Sequence, residues 1–386
     1  MADRPDRLEA FINGNRHDRW ESVRVSRTIE SVADSFSLSM GGVIATGGRP
    51  LVRYHKGTPL DLRVSGDGVL NGRIGQVSAQ DDGRSASITY AGRSLAGDLV
   101  DASAEYRAWK KRTPLQIAND IAGPFDLAVT TDITDLDVTA PLERFAVEEG
   151  ERAMETLARI ATLRGLLITS EPDGQLLLTR AGAEHSGEAL VRGQNILSAS
   201  YGEDESEQFS LYVVKGQNAG KDTFFGEDAA HGVAKAQDLS VDRHRPMVIT
   251  SEVKASKPDL ERRAKWERNT RAGRAITYQV QVLGWRGGTT GKLWRENRLV
   301  HVRDPWYGID TTMLIVAVDY ERSASSPSTV TTLRLMLPQA FQPNYAPTPK
   351  PKPKVKVKTK GLAGLGEYFV DYADGVVDAF DEQLFW

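Results

Sequence analysis

A strict alternation of apolar and polar side chains through the first hundred residues constrains this chain most. Val23 and Val25 alternate with Ser22, Arg24 and Ser26, and Phe36, Leu38 and Met40 with Ser35, Ser37 and Ser39. Leu60, Leu62 and Val64 repeat the pattern against Asp61, Arg63 and Ser65, as do Ala86, Ile88 and Tyr90 against Ser87 and Thr89. Successive side chains of a strand point to opposite faces, so each run specifies a strand with one buried face. Turn sequences separate the runs: Asn13-Gly14-Asn15, Gly47-Gly48, Gly66-Asp67-Gly68, Asn71-Gly72 and Asp82-Gly83. Short strands at this spacing predict a small antiparallel barrel over residues 1–104.

The period then becomes helical. Thr113 is placed to cap a helix with Pro114 in its first turn and Leu115, Ile117, Ala118 and Ile121 along one side, closed by Gly123-Pro124. A second helix is predicted from about Glu148 to Arg164, with acids at its start, Arg164 at its end and Gly165 as its stop. Leu166–Thr169 and Leu176–Thr179 flank Asp173-Gly174 as a hairpin. Residues 105–188 therefore read as a small α/β domain.

Alternation returns over 189–345, in Phe209, Leu211 and Val213, in Tyr278, Val280 and Val282, and in Leu333, Leu335 and Leu337. One heavily charged helix interrupts it near residues 258–271; Leu260, Ala264 and Trp266 give it little apolar face, which predicts a solvated connection or a polar subunit contact. The fold class expected is mainly β with a small α/β domain: two β-barrel-like domains, an inserted α/β domain and a tethered C-terminal helix. No residue-level repeat relates the two barrel blocks. Trp20, Trp285, Trp294 and Trp306 lie in strand-like contexts and are expected in cores.

Residues 346–361 alternate proline and lysine, which predicts an extended linker stiffened by like-charge repulsion. Residues 362–386 form an acidic segment in which Tyr368, Phe369, Tyr372, Val376, Phe380 and Leu384 recur at helical spacing before Phe385 and Trp386. A single helix of this length cannot bury its own apolar face, so these eight residues are the candidate partner-docking site.

Searches for chemistry return little. The chain has no cysteine, which removes disulfides, thiolate metal sites and a cysteine nucleophile. None of its six histidines pairs at metal-ligand spacing, and no HExxH, GxSxG or GxxxxGK[ST] sequence occurs. Asp132, Asp135 and Asp137 cluster without the calcium-loop register, and Asp374-Gly375 lacks an acid at the required position. No cofactor, metal or catalytic residue is expected. A net charge of −3 disfavours a whole-protein field for nucleic acid, and the lysines at 350–360 lack interleaved aromatics for base stacking. The charged N-terminus lacks a signal-peptide core and no run is long enough to span a bilayer, so a protein made in a cytoplasm, without membrane anchoring, is expected.

Four stretches carry a resemblance. They are Phe11-Ile12-Asn13-Gly14 with Trp20–Val25 and Phe36-Ser37-Leu38; Gly92-Arg93-Ser94 through Asp98–Ser103; Thr113–Ala118 with Gly150-Glu151 and Asp173–Leu176; and Gly291-Lys292-Leu293-Trp294 with Asn297. In this order, over roughly residues 8–340, the chain resembles the Mu-like phage baseplate hub proteins, the phage tail protein P family, related to the hub rings of contractile tails and to the N-terminal part of type VI secretion spike proteins. Relatives often carry cysteine at the position of Ala102. The resemblance implies a non-enzymatic virion protein: a homotrimer whose two barrels per chain make a ring of six units. Such a ring adapts a hexameric tail tube to a trimeric spike. The implied partners are the tail tube or a tube-initiator protein, the central spike protein and baseplate wedge proteins, with DNA touched only as it passes the channel. A tail-associated peptidoglycan hydrolase and a carbohydrate- or receptor-binding tail module are the alternatives.

Overall fold

The computed structural model describes residues 6–43, 54–82, 85–142, 144–182, 184–216, 232–250, 257–323, 326–341, 355–356 and 369–370. Residues 1–346 form one compact unit and residues 347–386 a second. The first unit is mainly β. It opens with β1 (Leu8–Ile12) and β2 (Asn15–His17), a hairpin turned by Asn13 and Gly14, both at positive φ. Then come β3 (Ser22–Thr28), β4 (Ser35–Val43), β5 (Pro59–Val64), β6 (Asp67–Asp81) and β7 (Ser85–Ser94). Val23, Val25, Phe36, Leu38, Leu60, Leu62, Val64, Ile88 and Tyr90 are all buried, so the parity read from the sequence holds strand by strand. Each such side chain contributes roughly 1.5–3 kcal/mol on full burial, which is what fixes the register.

Next come α1 (Gly97–Asp101), β8 (Ala108–Trp109), α2 (Pro114–Ala122), β9 (Val129–Thr131), α3 (Leu136–Thr139), β10 (Phe145–Ala146), α4 (Ala153–Arg164), β11 (Leu167–Ser170) and β12 (Leu176–Thr179). Thr113 accepts the Gln116 N–H while the Gln116 side chain accepts the Thr113 N–H, a reciprocal cap on α2. Gly165 ends α4 at φ 63°, as expected. The start of α4 lies later than predicted, at Ala153, because Gly150 turns the chain at φ 79° and Glu151 bonds the Glu148 N–H just ahead of it. These elements enclose their own core, including Trp109, Ile117, Phe145, Leu157, Ile160 and Leu178.

The remainder comprises β13 (Glu184–Val191), β14 (Ser198–Glu203), β15 (Leu211–Lys215), β16 (Val233–Gln237), β17 (Pro246–Thr250), α5 (Lys257–Arg274), β18 (Ile276–Leu283), β19 (Arg298–Asp304), β20 (Ile309–Ser323) and β21 (Ser326–Met336). Among the described residues, thirteen strands join in one sheet ordered β14-β18-β21-β20-β3-β4-β7-β6-β5-β1-β2, with β19 on β20 and β13 on β19. Its two halves share an apolar core that includes Val25, Phe36, Leu62, Tyr278, Trp285, Val318 and Leu333.

The two halves repeat one pairing scheme. In the first, β3 pairs β4, β4 pairs β7, β7 pairs β6 and β6 pairs β5. In the second, β14 pairs β18, β18 pairs β21, β21 pairs β20 and β20 pairs β19, again all antiparallel and in the same chain order. Both long strands bulge in the middle, β6 between Ile74 and Gln76 and β20 between Ile315 and Ala317. A Cβ on Gly92, near the first bulge, would strike the Arg73 carbonyl and the Phe36 ring. The halves differ at the margin, where β1 runs antiparallel to β5 but β13 parallel to β19. Between them β3 pairs β20, from Thr28 opposite Ala317 to Val23 opposite Arg322.

The charged helix departs from expectation. α5 packs on a separate three-stranded sheet of β16, β15 and β17, burying Leu260 and Ala264 against Val214, Ala234 and Ala236. A narrow stripe of small apolar residues suffices because Glu267, one turn further on, is buried with Arg263 at 2.7 Å and Arg271 at 3.2 Å. The phase of β15 also differs: Tyr212 and Val214 face inward rather than Leu211 and Val213, since α5 covers that side.

In the second unit, β22 (Val355–Lys356) pairs antiparallel with β23 (Phe369–Val370). Phe369, expected in a helix, is therefore in a strand, where its aromatic ring and the following β-branched valine suit the extended backbone. Tyr368, Tyr372, Val376, Phe380, Leu384, Phe385 and Trp386 lie outside the described residues.

Candidate functional site

A cleft of about 840 Å³ opens where the β5–β6 and β11–β12 turns meet the start of β13 and residues 286–298. Its walls are charged, and many of the charges are paired. Asp61 meets Arg63 at 2.7 Å, Asp67 meets Arg286 at 2.7 Å, and Glu184 meets Arg298 at 2.9 Å. Arg286 also holds Asp6 at 3.0 Å. Glu188 accepts the N–H groups of Thr289 (3.1 Å) and Thr290 (2.6 Å); burial alone would raise its pKa, but these donors outweigh burial and hold it below the usual carboxylate range. Each of the cleft carboxylates just named is held by a cation or by N–H donors.

At the cleft floor lies Arg27, on the inward parity of β3 beside Val25 and only 2 % exposed. Its Nη1 donates to the Val69 carbonyl at 2.5 Å, and its Nη2 to the Ser170 carbonyl at 2.7 Å and to Glu296 at 2.7 Å. Asp34, also buried, stands 3.7 Å from the same nitrogen. One guanidinium thus ties β3, β6, β11 and the segment before β19 together. Burial works against the charge on Arg27, yet the two carboxylates outweigh it and raise its pKa further. The Tyr320 hydroxyl, buried alongside, donates to the Trp294 carbonyl.

A second node joins Arg192, just after β13, to β18 and β19. The fully buried Asp304 accepts Arg192 at 2.6 Å, the Tyr278 hydroxyl at 2.6 Å and the Trp306 N–H at 3.1 Å. Burial would raise the Asp304 pKa, but these partners hold it low. Asn297 sits at φ 58°, accepting the Gly182 N–H and donating to the Arg180 carbonyl, and so anchors the link from β12 to β13.

The opposite face of the joined sheet is polar. One row across five strands reads Gln281, Thr332, Asp319, Ser26 and Ser35. Arg24 lies between Asp319 (3.8 Å) and Glu321 (3.7 Å) on the same face.

The other sequence candidates resolve into structure. Asp135 and Asp137 both hold Arg180, at 2.7 and 2.6 Å, and Asp132 accepts the Thr179 hydroxyl at 2.8 Å. His17 contacts the Tyr54 hydroxyl at 2.7 Å, and His301 pairs with Asp310 at 3.0 Å. Trp20, Trp285 and Trp294 are buried as expected, whereas Trp306 is 79 % exposed in the β19–β20 turn with Arg192 over its ring at 4.8 Å. Among the described residues no group of three His, Asp or Glu side chains could hold a metal ion, and no helix is long and apolar enough to cross a membrane. Sequence reasoning missed Arg27, although its parity with Val23 and Val25 marks it as a charge on a buried face.

The same fold occurs in tail proteins. The 43 kDa tail protein of prophage MuSo2 from Shewanella oneidensis superposes with TM-score 0.77 at 26 % identity, over 88 % of this chain and 99 % of that one. The tail protein of Neisseria meningitidis MC58 superposes with TM-score 0.73 at 24 % identity, over 89 % and 99 %. The fold is that of phage tail proteins. Sequence profiles narrow this: residues 7–94 match the N-terminal domain of the Mu phage baseplate assembly protein GpP-like family, 96–180 the second domain of the baseplate hub protein gp44-like family, and 256–344 the fourth domain of GpP. The baseplate hub protein gp44 of Escherichia phage Mu is 34 % identical over 311 residues, 79 % of this chain and 81 % of that protein. The chain belongs to the Mu-like phage baseplate hub family.

Proposed function

We propose that three copies of this chain form the hub ring of a contractile baseplate, presenting six similar barrel units to a hexameric tail tube and threefold symmetry to a trimeric central spike. The duplicated pairing scheme carries this reading. Two near-equivalent halves per chain turn a threefold assembly into a quasi-sixfold one, which is what a symmetry adapter requires. A head-to-tail contact of this kind closes into a ring only when each step turns by the right angle. The domains are 1–104, 105–188 and 189–345, with 346–361 as the linker. The partners are the tail tube or a tube-initiator protein, the spike and the baseplate wedge proteins. DNA meets the protein only in passing the channel. The role is non-enzymatic, and the arginine-bound carboxylates of the cleft support it. Light scattering at micromolar concentration is expected to give three times the chain mass; a strictly monomeric protein would refute the ring.

Residues 362–386, with Tyr368, Phe369, Tyr372, Val376, Phe380, Leu384, Phe385 and Trp386, dock a tail component or a neighbouring hub chain. Their run of aromatics among acids supports this. Deleting 362–386 is expected to leave the trimer folded and to impair attachment of the partner. Normal tail assembly by the truncated protein would remove the docking role.

A further inference from the structure

Several edges of the joined sheet have no strand partner among the described residues, and two of them answer each other. β14 pairs β18 on one side only. In β6, residues 76–81 pair β7 alone, because β5 stops opposite Arg73. Their counterparts in the other half are filled, and they fill each other. Gln76 and Ala317 are the first paired residues past their bulges, opposite Ala91 and Arg334. From Ala91 the register runs through Ser37 to Arg24, and from Arg334 through Gln279 to Ser200. Residues 76–81 therefore correspond to 317–322, and Ser200 to Arg24. In this chain 317–322 pair with β3.

Resting on the ring reading, we propose that the free edge of β14 in one copy pairs antiparallel with residues 76–81 of the next copy, in the register that β3 adopts on β20. Glu203 then stands opposite Val77, Tyr201 opposite Ala79 and Ala199 opposite Asp81. Burial follows the same logic. Gln76, Ser78, Ala79, Gln80 and Asp81 are exposed, whereas none of residues 317–322 is. Val77, Ala199 and Tyr201 are half-buried against the core, each with one flank left open for the neighbour to cover. The occupant is a second copy of this chain, because only β3, the counterpart of β14, is already seen on this type of edge. Unpaired N–H and C=O groups along both edges supply the bonding, and the bulges aim them.

The chain has no cysteine, so introduced pairs report without background. Directly opposed residues have Cα atoms about 4.5–5.5 Å apart, within disulfide reach. A chain carrying Tyr201→Cys and Ala79→Cys, oxidised with diamide, is expected to run as covalent dimer and trimer without reductant and as monomer with it. Glu203→Cys with Val77→Cys is expected to do the same, guarding against a folding defect in one pair. Ser200→Cys with Ala79→Cys places the thiols on opposite faces and is expected not to link. Linking by that pair alone would overturn the register. A trimer by light scattering in which neither opposed pair links would overturn the edge pairing and leave the ring; a monomeric parent chain would overturn both.

Discussion

Replacing Arg27 with methionine is expected to cost roughly 3–5 kcal/mol of unfolding free energy at neutral pH, the range for removing one partner of a buried ion pair. The loss is not of one contact. Glu296 and Asp34 would remain in the interior without a cation, and the carbonyls of Val69 and Ser170 would lose a donor. Methionine fills much of the same volume, so cavity formation adds little. Replacing all three with Arg27→Met, Asp34→Asn and Glu296→Gln is expected to recover a large part of the loss, because the stranded Glu296 charge and the unpaired Asp34 carboxyl go with it. Urea midpoints of the parent, the single variant and the triple variant separate these cases. A single-variant loss below about 1 kcal/mol, the value of an exposed pair, would mean the cluster is wetter than its burial implies.

Asp34 gives the second large effect, and its sign is the informative part. Two carboxylates face one guanidinium. Glu296 takes the short contact at 2.7 Å, while Asp34 stands off at 3.7 Å with an Oδ2 that meets no hydrogen-bond donor among the described residues. Burial first, and the Glu296 charge with it, push the Asp34 pKa up to about 7 against the pull of Arg27. Burial acts on Glu296 too, but Arg27 outweighs it and holds that group low. The unfolded chain ionises Asp34 near 3.8, so the folded state holds an extra proton between 3.8 and about 7. Stability from Asp34 is therefore complete below that window and lost as pH rises through it. Asp34→Asn cannot ionise. It is expected to be a few kcal/mol more stable than the parent at pH 8, at about 1.4 kcal/mol per pKa unit, and nearly equal to it at pH 4. Glu296 has the opposite dependence, losing its contribution as pH falls, and cancels from the difference between the two proteins. Thermal midpoints that stay parallel from pH 4 to pH 8 would show that Asp34 is ionised throughout.

The elements were largely legible in the sequence because their determinants are local. Parity fixed the buried faces of β3, β4, β5, β7 and β18, and the Thr113 cap and Gly165 stop placed two helix ends. What escaped depends on partners distant in the chain. The duplication lies in which strands pair, and Ser22–Thr28 and Ser198–Glu203 share only the serine at their first position although the two occupy equivalent places. The inward phase of β15 and the seating of α5 depend on each other, so neither could be read alone. Trp306 is exposed because it lies in the four-residue turn between the two strands, after Asp304 and before Ile309. Of the cleft, Arg27 was readable from parity. Glu296 was not, since it precedes β19 outside any periodic run.

The open edges of β14 and β6 also bear on how copy number is counted. Two joined copies still offer one edge at each end, as a single copy does, so nothing in the first encounter marks the assembly as unfinished. The last join differs: its two edges already belong to one object, and their effective concentration far exceeds that of free chains. In the proposed ring, closure would then outpace further growth, and intermediates would be depleted between monomer and ring. The curvature of the sheet, to which the bulges of β6 and β20 contribute, would then decide how many copies are admitted, and the supply of chains only how fast they arrive.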